Sequence, residues 1–517
     1  MYERPWPVFG NLIPFVFKKQ SLVDLHNEIY KKDKYNESRY IGLYHSQTPV
    51  LLIKDAHLIR EMMVENFEIF PERTVFVPRE LDRIWAKSLF ALPAKDEWKG
   101  IKTVITSLFT GSRLRNIFDS TRPCVTQLGD YITTKIEGDK AILDTADIFS
   151  KVSNDIIAKI TLGILCNSLE DPQNRIYTLA KDICNITGLR KSLKFFLASM
   201  SMKLAKFLKI SFIKRTTADF MGEIIRETIN IQGEEGSDEV NLISFMMNAR
   251  AGQLNRSGEE PGSPGSASDI SNVEFTDDII IAQTIVFFFG GLETLSRAIS
   301  YAAYELAIHP DVQEKLRSEI DIALEECGGN LDYDKLVSIK YLDMVVTEAL
   351  RLWPPIAIID RRTTKKFMIR DPIDVRNDIE IDEQVVCLVP VYSIHRDPAR
   401  FPNPERFHPE RFEREEARFK RYTYMPFGVG RRACVGGRFA LIMMKMVLVH
   451  ILSKFEIVPV EETPIPLVLS RWITSSKTVA DAPPGRPYTN TRKPDPYEFL
   501  QLQMKQENSA KREKNKT

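Results

Sequence analysis

The stretch Phe427-Gly-Val-Gly-Arg-Arg-Ala-Cys-Val-Gly436 precedes an apolar, helix-periodic run, Arg438-Phe-Ala-Leu-Ile-Met-Met-Lys-Met-Val-Leu. A cysteine at the mouth of a helix faces backbone N–H donors and the positive end of the dipole, and both favour thiolate over thiol. Cys434 can therefore be an anionic metal ligand. Gly428, Gly430, Gly436 and Gly437 let the backbone pass close to a flat partner, and Arg432, two residues from the sulfur, can meet a carboxylate at its edge. That geometry suits haem.

Two other patterns carry chemistry. Glu348-Ala-Leu-Arg351 sets an acid and a guanidinium on one helix face; exposed, such a pair is worth only about 0.3 kcal/mol, so alone it means little. Gly290-Gly-Leu-Glu-Thr-Leu-Ser296 lies inside a helical pattern that opens at Thr276-Asp-Asp, with Thr276 as N-cap, and closes before His309-Pro310. At ~1.5 Å per residue this helix is about 50 Å long, enough to cross a domain. Each mid-helix Gly costs ~1 kcal/mol relative to Ala, and such a cost suggests a use. One reading is close helix packing at the glycines with Glu293 facing solvent; the other is a site.

The elements that position these residues follow from periodicity. Two strands fall between Tyr40 and Lys54, helical periods dominate from Asp55 to roughly Leu350, and strand signals return between Ile369 and Val391. Ala251 to Asn272 is too rich in Gly, Ser and Pro to pack and reads as a mobile surface loop. The sequence predicts a mainly α protein with small β-sheets, one domain over residues 1–480, and a disordered tail over 481–517. No internal repeat is visible.

Composition sets bounds. Lys and Arg number 71 against 70 Asp and Glu, a net charge of +1, so no global field draws the chain to nucleic acid. The six cysteines show neither a CxxC pair nor zinc-ligand spacing, which argues against a disulfide framework and for a reducing compartment. No signal peptide leads the chain; the nearest approach to a membrane span, Ile279 to Leu292, is short of the ~20 residues required. Leu193 to Ile213 interleaves lysines with Phe, Leu and Met, as does a helix on an anionic membrane surface or one packed on the core.

Phe427, Gly430, Arg432, Cys434 and Gly436 reproduce FxxGxRxCxG, and the chain resembles the cytochrome P450 family in its microsomal class, most of all insect detoxification-type members. Matches run in order from Pro5 to about Ile457, and the segment Arg471 to Gly485 departs from the family's closing strands. The resemblance implies haem b held between a long central helix and the Cys434 loop, with Phe427, Arg432 and Gly436 around it. It implies that Glu348 and Arg351 form a buried network with Arg411 of Pro409-Glu-Arg-Phe412, serving structure and haem retention. Gly291 is expected to open a groove beside the iron, Thr294 to hydrogen-bond dioxygen, and Glu293 to help deliver protons so that one oxygen atom leaves as water. Trp98 and Arg361 are expected at the propionates, with Lys102 where the family's Trp-x-x-x-Arg motif has Arg; Lys keeps the charge and loses the fork. Sequence leaves open whether Arg361 or Arg362 turns inward.

The activity implied is haem-thiolate monooxygenation of an apolar small molecule (xenobiotic, lipid, hormone or odorant) with dioxygen. Electrons come from NADPH through a flavoprotein reductase, with cytochrome b5 as a further donor. Phe287, Phe288, Leu292, Ile356 and Ala357 are candidate pocket residues, and Lys95, Lys99, Lys102, Arg431, Arg432 and Lys445 a candidate docking face. The expected location is the cytoplasmic face of the endoplasmic reticulum membrane. Attachment there is peripheral, because the chain begins almost at the proline segment that follows the family's anchor. Competing readings are a haem-thiolate isomerase or dehydratase, against which Glu293-Thr294 speaks, and a haem-binding product without turnover.

Overall fold

The computed structural model describes residues 2–17, 19–74, 82–184, 207, 213–235, 241–253, 273–371, 378–414, 422–461, 463–467 and 500–504. The described chain is mainly helical with three small sheets. Six helices frame the site: α1 (Asp96–Leu108), α2 (Thr145–Leu162), α3 (Arg175–Cys184), α4 (Asp277–Ile308), α5 (Lys340–Leu352) and α6 (Gly437–Lys454).

Helix α4 is the longest apolar-periodic segment, and it lies at the centre of the core. Thr276 takes the extended N-cap conformation without a side-chain bond to the first turn. Asp277 and Asp278 occupy that turn, where the dipole favours acids, and pair with Arg250 at 2.7 Å and Lys87 at 2.9 Å. The helix packs most extensively on α2, whose residues are buried on nearly every face. By length and apolarity α4 could span a membrane, but a fully packed core helix meets the same description.

The predicted N-terminal strands are β1 (Tyr40–His45) and β2 (Thr48–Ile53), an antiparallel hairpin in register Tyr40↔Ile53 to His45↔Thr48. After β3 (Lys140–Leu143) come β4 (Ile359–Arg362), β5 (Phe367–Ile369), β6 (Ile379–Ile381) and β7 (Val386–Val389). The four-stranded order β1-β2-β7-β4 joins β2 to β7 in parallel and leaves β4 at the edge, where it reaches the site.

The predicted tail needs correction. Residues Leu500–Met504 form β9, the middle strand between β3 and β8 (Phe455–Pro459), antiparallel to both. Leu500-Gln-Leu-Gln-Met alternates apolar and polar residues with the period of a half-buried strand, a signal masked by the charged sequence around it. The Gly/Ser/Pro loop beyond residue 253, most of Leu193–Ile213, and Arg471–Gly485 lie outside the described residues.

Candidate functional site

Cys434 sits two residues before Gly436, the N-cap of α6. Its loop is closed by the Cys434 N–H donating to the Phe427 carbonyl at 2.8 Å and the Gly428 N–H donating to the Met425 carbonyl at 3.0 Å. Gly430 has φ +71°, and a side chain there would overlap the Met63 carbonyl, so glycine is required. A Cβ on Gly436 would meet open space, and one on Gly437 would come 3.2 Å from the Phe427 ring. Cys434 is open to this space on one side, yet enclosed closely enough that burial pushes its thiol up, against the Gly436 amide and Arg73, which pull it down.

Beside this loop several cations converge. Trp98 on α1 is buried, stacked on Phe67 at 5.9 Å, with the Arg432 guanidinium 4.2 Å over its ring. Arg361 on β4 is buried, donating to the Asp360 carbonyl at 2.7 Å and the Val429 carbonyl at 3.4 Å. The neighbouring Arg362 points away to Glu72 at 2.6 Å, so the strand's alternation turns Arg361 inward. Lys102 donates to the Arg431 carbonyl and is pulled down to about 8 by burial and by Arg432, Arg431, Arg73 and Arg361. Asp360, whose carboxylate accepts from the Thr74 N–H, is the acid that faces Arg73 and Arg361.

Arg432 differs from its expected use. Its three nitrogens donate to the backbone carbonyls of Pro71 at 3.0 Å, Leu89 at 3.2 Å and Leu92 at 2.8 Å, tying these three residues to the cysteine loop. Among the described residues of this cluster, Trp98 Nε1 and Arg361 Nε are buried donors without partners, as is Arg362 Nε on the same strand. Sequence reasoning also missed Arg73, which donates to the Arg432 carbonyl at 2.7 Å and lies 4.6 Å over the Phe90 ring. No motif marks Arg73; only the fold brings it here.

On the facing helix, a Cβ on Gly290 would meet nothing within 4 Å, and the Thr294 hydroxyl donates to the Gly290 carbonyl at 2.5 Å. Gly291 was the expected opening, but a Cβ there would overlap Ile157 of α2, so Gly291 serves close helix packing and Gly290 faces the space. A rotation of 100° per residue puts neighbours on different faces. Glu293 pairs with Arg297 at 2.6 Å. Phe288, Leu292 and Ala357 are fully buried core residues and are corrected as pocket residues, whereas Phe287 is half-buried and stacks on Phe109 at 6.1 Å. Ile356 stays exposed at 46%. Val286 and Phe289, missed from sequence, are half-buried and pack with Phe90 on Trp85 and Ala91.

The family model for Cytochrome P450 matches residues 2–482. The chain belongs to the cytochrome P450 family. It is 34% identical to cytochrome P450 9e2 of Blattella germanica over 480 residues, covering 90% of this chain and 88% of that protein. It is 31% identical to cytochrome P450 9c1 of Drosophila melanogaster (91% and 89% covered) and 31% identical to cytochrome P450 6k1 of Blattella germanica (93% and 90%). Cytochromes P450 of this kind are monooxygenases that bind haem b through a cysteine thiolate, and this chain is one. Its residues fit that cofactor: an accessible thiol faces open space, and unpaired buried donors stand among cations where two carboxylates need partners.

Two further P450 features are in place. Glu348 and Arg351 on α5 are fully buried; Arg351 bonds Glu348 at 2.7 and 2.9 Å, and Arg411 Nε reaches the same carboxylate at 3.0 Å. Out of water, losing one partner of such a network costs about 3–5 kcal/mol. Of the expected docking cations, Lys95, Lys99 and Arg431 reach the surface. Lys445 does not: it is buried in a 2.7 Å pair with Asp343, and Arg432 is buried as described. Periodicity placed both helices correctly, but a lysine on an apolar helix faces inward when an acid waits there.

Proposed function

We propose that Cys434 would hold the haem iron, that Arg73, Trp98, Lys102 and Arg361 would hold its two carboxylates, and that an apolar organic substrate lies by Gly290 and Thr294. Bound haem supplies the iron at which dioxygen is activated, with thiolate donation favouring O–O cleavage. The chain's own residues do the rest. Val286, Phe289, Phe90 and Ile356 form an apolar wall, backed by the buried Trp85, that excludes water and binds the substrate. Thr294, anchored to the Gly290 carbonyl, holds a proton at the edge of the open space, and Glu293, poised by Arg297, passes protons toward it. Arg432 fixes the backbone at Pro71, Leu89 and Leu92, and its own carbonyl accepts from Arg73, so that Arg73 faces the cofactor. Glu348, Arg351 and Arg411 hold the structure behind the ligand loop.

Electrons come from NADPH through a flavoprotein reductase, docked by its acidic face on Lys95, Lys99 and Arg431. The enzyme works at the cytoplasmic face of the endoplasmic reticulum, as a single haem domain that includes β9. The observation that supports this reading best is one juxtaposition. The accessible Cys434 thiol lies beside a cluster of cations in which Trp98 Nε1 and Arg361 Nε lack acceptors. The test is a carbon monoxide difference spectrum of the reduced, haem-loaded protein, followed by NADPH consumption with reductase. A thiolate-type Soret band that Cys434→Ser abolishes, with substrate-dependent NADPH use, is the expected result. A band unchanged by that substitution removes Cys434 from the iron.

A further inference from the structure

The proposed role of the glutamate–arginine network on α5 is to support the cysteine loop, yet Glu348, Arg351 and Arg411 bond to one another and to residues 395–408, not to Cys434. One buried side chain spans the gap. His395 is fully buried, its Nδ1 lies 3.1 Å from the Arg351 carbonyl, and its Nε2 lies 3.0 Å from the Met425 amide nitrogen. The Met425 N–H can only donate, so Nε2 carries the lone pair and Nδ1 carries the proton that goes to Arg351. Arg351 answers with Nη1 donating to the His395 carbonyl at 2.7 Å.

The ring cannot turn out of this position. It stacks on Tyr424 at 5.3 Å and 19°, and meets Phe401 edge-on at 6.2 Å. Tyr424 is pinned in turn by its hydroxyl donating to the Thr347 carbonyl on α5 at 3.1 Å. From Met425 two hydrogen bonds lead on. The Met425 carbonyl accepts from Gly428, and the Phe427 carbonyl accepts from the Cys434 N–H at 2.8 Å. The imidazole therefore fixes the backbone at the start of the turn whose end carries the sulfur.

We infer that His395 is a positioning residue for the Cys434 thiolate, transmitting the rigidity of the Glu348–Arg351–Arg411 network to the ligand loop through the Met425 amide. The inference rests on Cys434 being the axial ligand. A loop freed at Met425 lets the sulfur leave the position that the turn sets, so less of the haem-loaded protein carries a bound thiolate.

Two substitutions separate the acceptor from the donor. His395→Gln extends far enough to present an acceptor near the Nε2 position; His395→Asn reaches only the Nδ1 position, keeping the bond to Arg351 and leaving the Met425 N–H bare. Wild type and both variants are loaded with haem, matched for haem content, reduced and exposed to carbon monoxide. The expected result is a wild-type-like ratio of thiolate band to total haem for His395→Gln and a ratio lowered about tenfold for His395→Asn, the effect of one unsatisfied buried amide. An Asn variant with the wild-type ratio overturns the positioning role. Should the Asn variant fail to load haem, the Gln variant decides: the thiolate band kept supports the role, and the band lost overturns it. If wild type itself lacks the thiolate band, the ligand reading fails first and this role falls with it.

Discussion

The Thr294 hydroxyl donates to the carbonyl of Gly290, 2.5 Å away, on the stripe of α4 that faces open space. That bond holds the hydroxyl against the helix and leaves its lone pairs directed outward. Replacing Thr294 with Ala removes the proton carrier while leaving the cysteine loop and the cation cluster untouched. Product formed per NADPH is expected to fall roughly tenfold, with the balance released as hydrogen peroxide and the carbon monoxide spectrum unchanged. Peroxide and product measured together check this; tight coupling in the Ala variant would remove Thr294 from proton delivery.

The adjacent glycine makes a different prediction. Gly291→Ala gains ~1 kcal/mol of helix propensity but drives its methyl into the Ile157 Cδ1, an overlap costing about 1–3 kcal/mol in a buried helix contact. A lower thermal midpoint is expected for Gly291→Ala and none for Gly290→Ala. Ile157→Val removes the clashing atom, so the double variant should recover about 1 kcal/mol in a mutant cycle. Simple additivity would show that the two helices do not meet at this pair.

Arg73 is expected to matter to the cofactor although no motif marks it. Arg73→Gln should raise the haem dissociation constant by about tenfold to a hundredfold, the scale of a hydrogen bond to a charged group. Arg431→Gln is the control: its exposed side chain pairs with Glu68, and the change should stay within about twofold. Transfer of haem to apomyoglobin gives both rates, and equal loss from the two variants would leave Arg73 without a special role.

Acid should destabilise the fold through histidines held neutral. Burial lowers His26 and His450 from 6.5 to about 4, and His45 and His395 from 6.5 to about 3. A lowered folded value means the unfolded chain binds the proton first. This stability is therefore complete above 6.5 and lost as pH falls toward 4, at about 1.4 kcal/mol per pH unit for each ring. His309 runs the other way: its bond to Glu305 raises it, so its contribution is present below 6.5 and fades as pH rises through the folded value. Denaturant midpoints between pH 4.5 and 8 should show the acid slope, and His450→Gln should flatten it by one ring's share. A slope indifferent to that change would mean His450 is protonated in the fold.

The amino-acid sequence alone determined the chemistry that backbone spacing can encode. Cys434 among its glycines, Glu348 with Arg351 three residues on, and Gly290 with Thr294 inside one apolar helix are local patterns, and each appears in the structure on the predicted element. Tertiary packing decided whatever depended on which way a side chain faces once distant segments meet. It set Gly291 against Ile157 and Gly290 into the open, turned Arg361 inward and Arg362 out, buried Lys445 with Asp343, and brought Arg73 and His395 to the cysteine loop across 359 and 30 residues of chain. Periodicity fixes the face of an element, but burial, charge pairing and desolvation are properties of the assembled neighbours, and those are settled only when the chain closes on itself.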